Sequence, residues 1–129
     1  EDIVGGLNAI ISYHFKKDKL LGGTYYFQES HQSDNMYYED FKIISNILND
    51  KYIMEPVENW NNTTFKNRPN DIGFALKMGH VEIAEMYLDK QTSIVHTIAS
   101  DNENGIKHAL FYRSAEFVAS MLEGMDEEF

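Results

Sequence analysis

The chain contains no cysteine in 129 residues. That single absence removes disulfides, thiolate nucleophiles, zinc fingers and iron–sulfur clusters, and it favours a reducing, cytoplasmic setting. Long apolar runs are missing too: stretches such as Ala9-Ile10-Ile11 fall far short of the roughly 20 residues that span a bilayer. Basic residues are few, 11 against 21 acidic ones, which gives a formal charge of −10. Such a chain is repelled by nucleic acid phosphates and by anionic lipid, so neither direct nucleic-acid binding nor membrane binding is expected. The first residue is Glu1 rather than methionine, which fits a trimmed chain.

The hydrophobic share of 43% with 13% aromatics is enough for a core, and the length fits one domain spanning 1–129. Divided at residue 64, the chain holds 5 basic and 10 acidic side chains before it and 6 and 11 after it, so each half carries −5. The negative field therefore reads as spread over the molecule, with Asp126-Glu127-Glu128 a local concentration.

Sliding the C-terminal third by 34 residues aligns Phe74-Ala75-Leu76 with His108-Ala109-Leu110, and Val81-Glu82-Ile83-Ala84 with Ala115-Glu116-Phe117-Val118. Each copy has a two-on, two-off apolar spacing, Ile83-Ala84 then Tyr87-Leu88, and Phe117-Val118 then Met121-Leu122. The same spacing occurs at Ile43-Ile44 and Ile47-Leu48, and it predicts helices with one apolar face. The segment from Ala75 through Gly79-His80-Val81-Glu82-Ile83 to Leu88 resembles an ankyrin repeat over about residues 70–124. The resemblance implies a short helix, a turn at Gly79-His80 with His80 supporting it, and a second helix. The second copy has Arg113-Ser114 in place of Gly-His, with Ser114 suited to an N-cap. Asp71-Ile72-Gly73-Phe74 stands where the family has Thr-Pro-Leu-His, so another α-solenoid fits equally.

Elsewhere, Ile3, Leu7, Ile10, Ile11 and Phe15 have helical spacing, and a further helix is expected from about Tyr38 to Asn49. Thr24 to Phe27 fits a short strand or a loop, and Thr92 to Ser100 a helix or a strand. Residues 50–70, rich in asparagine and holding both prolines and Trp60, read as a long loop-rich insertion. The expected fold is mainly α, stacked helix pairs with that insertion and room for one short hairpin.

No catalytic, cofactor or metal site is indicated. The histidines, 14, 31, 80, 96 and 108, lack ligand spacing, and His108 with Tyr112, at one helical turn, fits either an acid/base pair or simple packing of the two rings. Glu82, Glu85 and Asp89 fall at helical spacing, and the 34-residue offset adds Glu116 and Glu123, so stacked repeats would form an acidic ridge. Tyr25, Tyr26, Tyr37, Tyr38 and Trp60 lie in expected loops or element edges, where aromatic side chains serve as binding anchors. Together these features point to a non-enzymatic protein-binding module with a basic partner. In size and charge it resembles the immunity proteins and inhibitors that neutralise basic toxins such as nucleases by covering the active site. A scaffold fragment of a helical-repeat protein and a DNA mimic acting on a defence enzyme are the alternatives.

Overall fold

From Leu7 to Tyr13 every second residue, Leu7, Ala9, Ile11 and Tyr13, falls on one side of an extended chain. Leu7 and Ala9 are buried while their neighbours Asn8 and Ile10 are exposed. The computed structural model, which describes residues 2–114, accordingly places strands where this period of two runs. In chain order the elements are β1 (Asp2–Val4), β2 (Leu7–Lys16), β3 (Lys19–Phe27), α1 (Asn35–Asn49), β4 (Glu55–Trp60), α2 (Ile72–Lys77), β5 (Val81–Leu88), β6 (Thr92–Ser100) and β7 (Ile106–Ser114). The seven strands form one antiparallel sheet in the order β1-β2-β3-β7-β6-β5-β4.

The expected mainly α stack of ankyrin-like helix pairs is therefore not the fold. Among the described residues only α1 and the first half of the supposed repeat, α2, form α-helices. The second helix of that repeat is strand β5, and the second copy begins in β7, with Ala115 to Leu122 outside the described residues. The helix expected near residues 2–17 is the β1–β2 hairpin and the beginning of the β2–β3 turn, and the expected insertion holds β4 and two single 3-10 turns.

Both N-terminal hairpins turn on two residues of positive φ: Gly5 and Gly6 between β1 and β2, then Lys17 and Asp18 between β2 and β3. That is the backbone pattern of the tight turns whose twist matches paired strands. Gly79 at φ +76 ends α2 as its position suggested, with His80 N–H donating to Ala75 O at 2.8 Å and Gly79 N–H to Leu76 O at 3.1 Å.

Both helices pack on one face of the sheet. Phe41, Ala75, Leu76, Val81, Ile83 and Ile98 form one buried cluster, and Leu7, Ile44, Met54, Ile94 and Leu110 a second. Gly73 lets α2 approach the start of α1: its N–H donates to Asn35 Oδ1 at 2.7 Å, and an added Cβ would collide with the Asp34 and Asn35 backbone. Gly73→Ala is expected to cost about 2 kcal/mol in urea unfolding, since overpacked sites lose that order of stability. An unchanged midpoint would show that the helices separate freely.

Candidate functional site

Between the two apolar clusters lies a row of polar side chains. On β5, Glu85 sits between Ile83 and Tyr87; on β6, His96 between Ile94 and Ile98; on β7, His108 between Ile106 and Leu110. Register pairs Glu85 directly with His96, while His108 lies opposite Ile98, diagonal to His96. His96 Nδ1 is 3.2 Å from Glu85 Oε1, the two histidine Nε2 atoms are 2.6 Å apart, and Ser45 Oγ of α1 donates to Glu85 Oε2 at 2.7 Å. Phe41 stacks on His96 at 4.0 Å between ring centroids and Phe27 on His108 at 4.2 Å. Glu85 and His108 are each 6% exposed and His96 is fully buried.

Burial dominates the titration of the two histidines. It pushes His96 below its usual value despite the pull of Glu85, and it takes His108 down to about 3, with the neighbouring His96 adding to the shift. For Glu85 burial acts upwards, yet hydrogen bonds from His96 and Ser45 hold the carboxyl below its usual range. The consistent state is an ionised Glu85 accepting from His96 Nδ1–H, and a neutral His96 whose Nε2 accepts from His108 Nε2–H. Among the described residues no buried side-chain nitrogen or oxygen lacks a partner, and no group of three His, Asp or Glu could hold a metal ion. The Ser45 hydroxyl directs its proton to Glu85 and accepts from Asn49 Nδ2, so this row is an internal hydrogen-bond chain beneath α1.

A second histidine–carboxylate pair closes the N-terminal end of α1. His31 Nε2 meets the buried Asp40 Oδ2 at 2.5 Å, and the His31 N–H donates to Tyr37 Oη. His108 and Tyr112 share a face of β7 but lie four residues apart on a strand, about 13 Å at ~3.3 Å per residue, so they form no acid/base pair. His80 stacks on Phe65 in the turn after α2.

The supposed acidic ridge depended on a helix, and strand β5 disperses it. Glu82 and Glu85 point to opposite faces, with Glu82 exposed and Glu85 in the core. Asp89 caps the β5–β6 turn, accepting from the N–H groups of Gln91 and Thr92 and from Tyr87 Oη–H. Glu116 and Glu123 lie outside the described residues. Of the aromatic candidates, Tyr26 stands exposed on the face away from the helices, edge-on to Phe111. Tyr25 packs against the second core cluster, while Tyr37, Tyr38 and Trp60 pack against the first. Trp60 Nε1–H donates to Glu58 Oε1 at 2.9 Å.

The feature that composition did not reveal is the other face of the sheet. Two rows cross it, Ile10, Tyr26, Ala109, Thr97, Ala84 and Val57, then Ser12, Thr24, Phe111, Val95, Met86 and Glu55. Among the described residues no helix covers these rows, and Ile10, Tyr26, Val57 and Met86 are each more than 40% exposed. Carboxylates mark one side of it: Glu55 on β4, and Glu82, which faces Asn59 across the β4–β5 ladder. Acidic residues are also unevenly spread along the chain. Residues 1–27 hold three acidic and three basic side chains and residues 65–114 six of each, whereas residues 28–64 hold seven acidic and two basic. The remaining five carboxylates belong to residues 115–129, so the field is concentrated rather than even.

Among the described residues no helix is long and apolar enough to cross a membrane. Comparison with protein-family models, with characterised proteins and with solved structures returned no match.

Proposed function

We propose that the protein is a non-enzymatic binding domain for a basic protein, acting as an inhibitor or immunity protein that covers a cationic working surface such as that of a nuclease. The observation that carries this reading is the uncovered sheet face, apolar at its centre and bordered by Glu55 and Glu82 at the β4 side. An apolar centre excludes water, and charges at the margin steer the encounter and reject acidic competitors. The histidines, the residues best suited to general acid/base work, are either buried or occupied in stacking and hydrogen-bonded pairs.

The test is affinity capture from host lysate at low salt, comparing the wild-type chain with a Glu55→Lys, Glu58→Lys, Glu82→Lys variant. These three side chains are exposed; reversal at Glu58 gives up the exposed bond from Trp60 Nε1–H, a loss the fold should survive. A stoichiometric basic protein released by salt is expected with the wild-type chain. With the variant, association should slow by about ten-fold or more at low ionic strength. Retention of the same protein at the same rate by the variant would remove the carboxylate margin from the account.

A further inference from the structure

We infer that the outer edge of β4 accepts an extended basic segment of the partner as an eighth strand of the sheet. The inference rests on the reading that the partner is basic and adds how it is held. β4 is the last strand in the sheet order and, among the described residues, pairs only with β5. Its outer backbone groups are therefore available, and Glu55, Pro56, Val57, Glu58 and Asn59 are all exposed. Pro56, which supplies no N–H, is tolerated at a sheet edge.

Charge selects what can pair there. An exposed edge is a template for any extended chain, and edges are usually guarded by charged side chains, by proline, by a bulge or by a covering element; Pro56 removes one donor from this edge, and its charges are acidic. This one carries Glu55 and Glu58 on opposite faces of the strand, within the most acidic stretch of the described fold. Antiparallel pairing with a second copy of β4 would bring the carboxylates of the two copies near one another at about 5 Å strand spacing, which disfavours self-association. A strand with lysine or arginine three residues apart, and so on both of its faces, meets the two carboxylates with opposite charge.

The edge also offers an apolar seat. Beside the beginning of β4 a cleft of about 350 Å³ is lined by Ile53, Glu55, Met86, Tyr87 and Leu88. Ile53 is 87% exposed and Leu88 76%, unusual exposure for aliphatic side chains next to a sheet. A segment that runs along β4 and continues past Glu55 places its next side chain over this cleft, so the fitting ligand is extended, basic and apolar at that end. Backbone pairing would supply affinity, and the carboxylates with the cleft would supply choice.

The experiment titrates the full-length, ¹⁵N-labelled protein at low salt with the eight-residue peptide Val-Lys-Val-Val-Lys-Val-Val-Lys, whose lysines fall on both faces of an extended chain. A matched peptide N-methylated at consecutive residues is titrated in parallel; it has the same charge but lacks N–H donors on both edges. The expected result is that the largest amide shifts fall on residues 55–60, with slowed hydrogen exchange at the outer amides of β4. The N-methylated peptide should bind about ten-fold more weakly, the equivalent of one or two lost hydrogen bonds. Glu55→Gln with Glu58→Gln should weaken the unmodified peptide while leaving the remaining amide spectrum in place. Equal binding of the two peptides, or shifts centred away from β4, overturns the edge inference but leaves a basic partner standing. Failure of both peptides to bind, alongside salt-sensitive capture of a basic protein by the wild-type chain, also overturns it and nothing else. Failure of both peptides together with no salt-released basic partner removes the underlying reading as well.

Discussion

Glu85→Ala is expected to destabilise the fold by about 3 kcal/mol, as breaking a buried ionic hydrogen-bond chain typically does. The carboxylate accepts from Ser45 Oγ–H at 2.7 Å and faces His96 Nδ1 at 3.2 Å, and its removal leaves both donors buried without an acceptor. Its location between Ile83 and Tyr87 gives water little access to replace it. Removing the polar row as a unit should behave differently. A Glu85→Met, His96→Phe, His108→Leu variant leaves fewer buried polar atoms unpaired and keeps rings against Phe41, so its cost should be smaller than that of Glu85→Ala alone. Urea unfolding followed by fluorescence of Trp60 reads both variants. A loss below about 1 kcal/mol for Glu85→Ala would mean that the carboxylate is hydrated and the row is not part of the core.

Acid should unfold the protein through the same residues. Burial holds His96 below its ordinary value and His108 at about 3, while in the unfolded chain both titrate near 6.5. Between the folded and unfolded values the unfolded state binds more protons, so stability rises with pH across that window. The contribution is complete above about pH 6.5 and is lost as pH falls towards the folded values. Glu85, also held low, adds a loss of the same sign below its ordinary range. From pH 7 to pH 5 His108, kept neutral in the fold, should cost about 2 kcal/mol of stability, and His96 adds a loss of the same sign. In the Glu85→Met, His96→Phe, His108→Leu variant that slope should largely vanish. A wild-type stability that is flat over this range would show that the two histidines take up protons in the fold as they do in the unfolded chain.

The same polar row explains why the strands were hard to see in the sequence. The inward-facing positions of β5 read Val81, Ile83, Glu85 and the half-buried Tyr87, and those of β6 Ile94, His96 and Ile98. Each period-two pattern is thus broken at its centre by a residue that belongs, by type, on a surface. Meanwhile the open face contributes Ala84, Met86 and Leu88 from β5 and Ile10 from β2, and these filled out an apolar spacing that imitates a helix. The Lys17-Asp18 turn carries no glycine, and the Gly5-Gly6 turn, a legible hairpin signal, was outweighed by the run of Ile3, Leu7, Ile10 and Ile11. What could be read correctly was local: α1, the short helix α2, and Gly79 as its stop. Tyr26 and Glu82 were legible as exposed candidates, but the sheet face on which both stand depends on pairings between distant segments, which no local pattern encodes.

The most direct test is to compare three chains for salt-sensitive capture of a basic protein: wild type, the Glu85→Met, His96→Phe, His108→Leu variant, and the Glu55→Lys, Glu58→Lys, Glu82→Lys variant. If binding belongs to the acidic margin of the sheet, the core variant retains the wild-type partner with unchanged affinity and the charge-reversed variant loses it. Loss of the partner in a folded core variant, with full retention after charge reversal, would contradict the account and place the function at the histidine row.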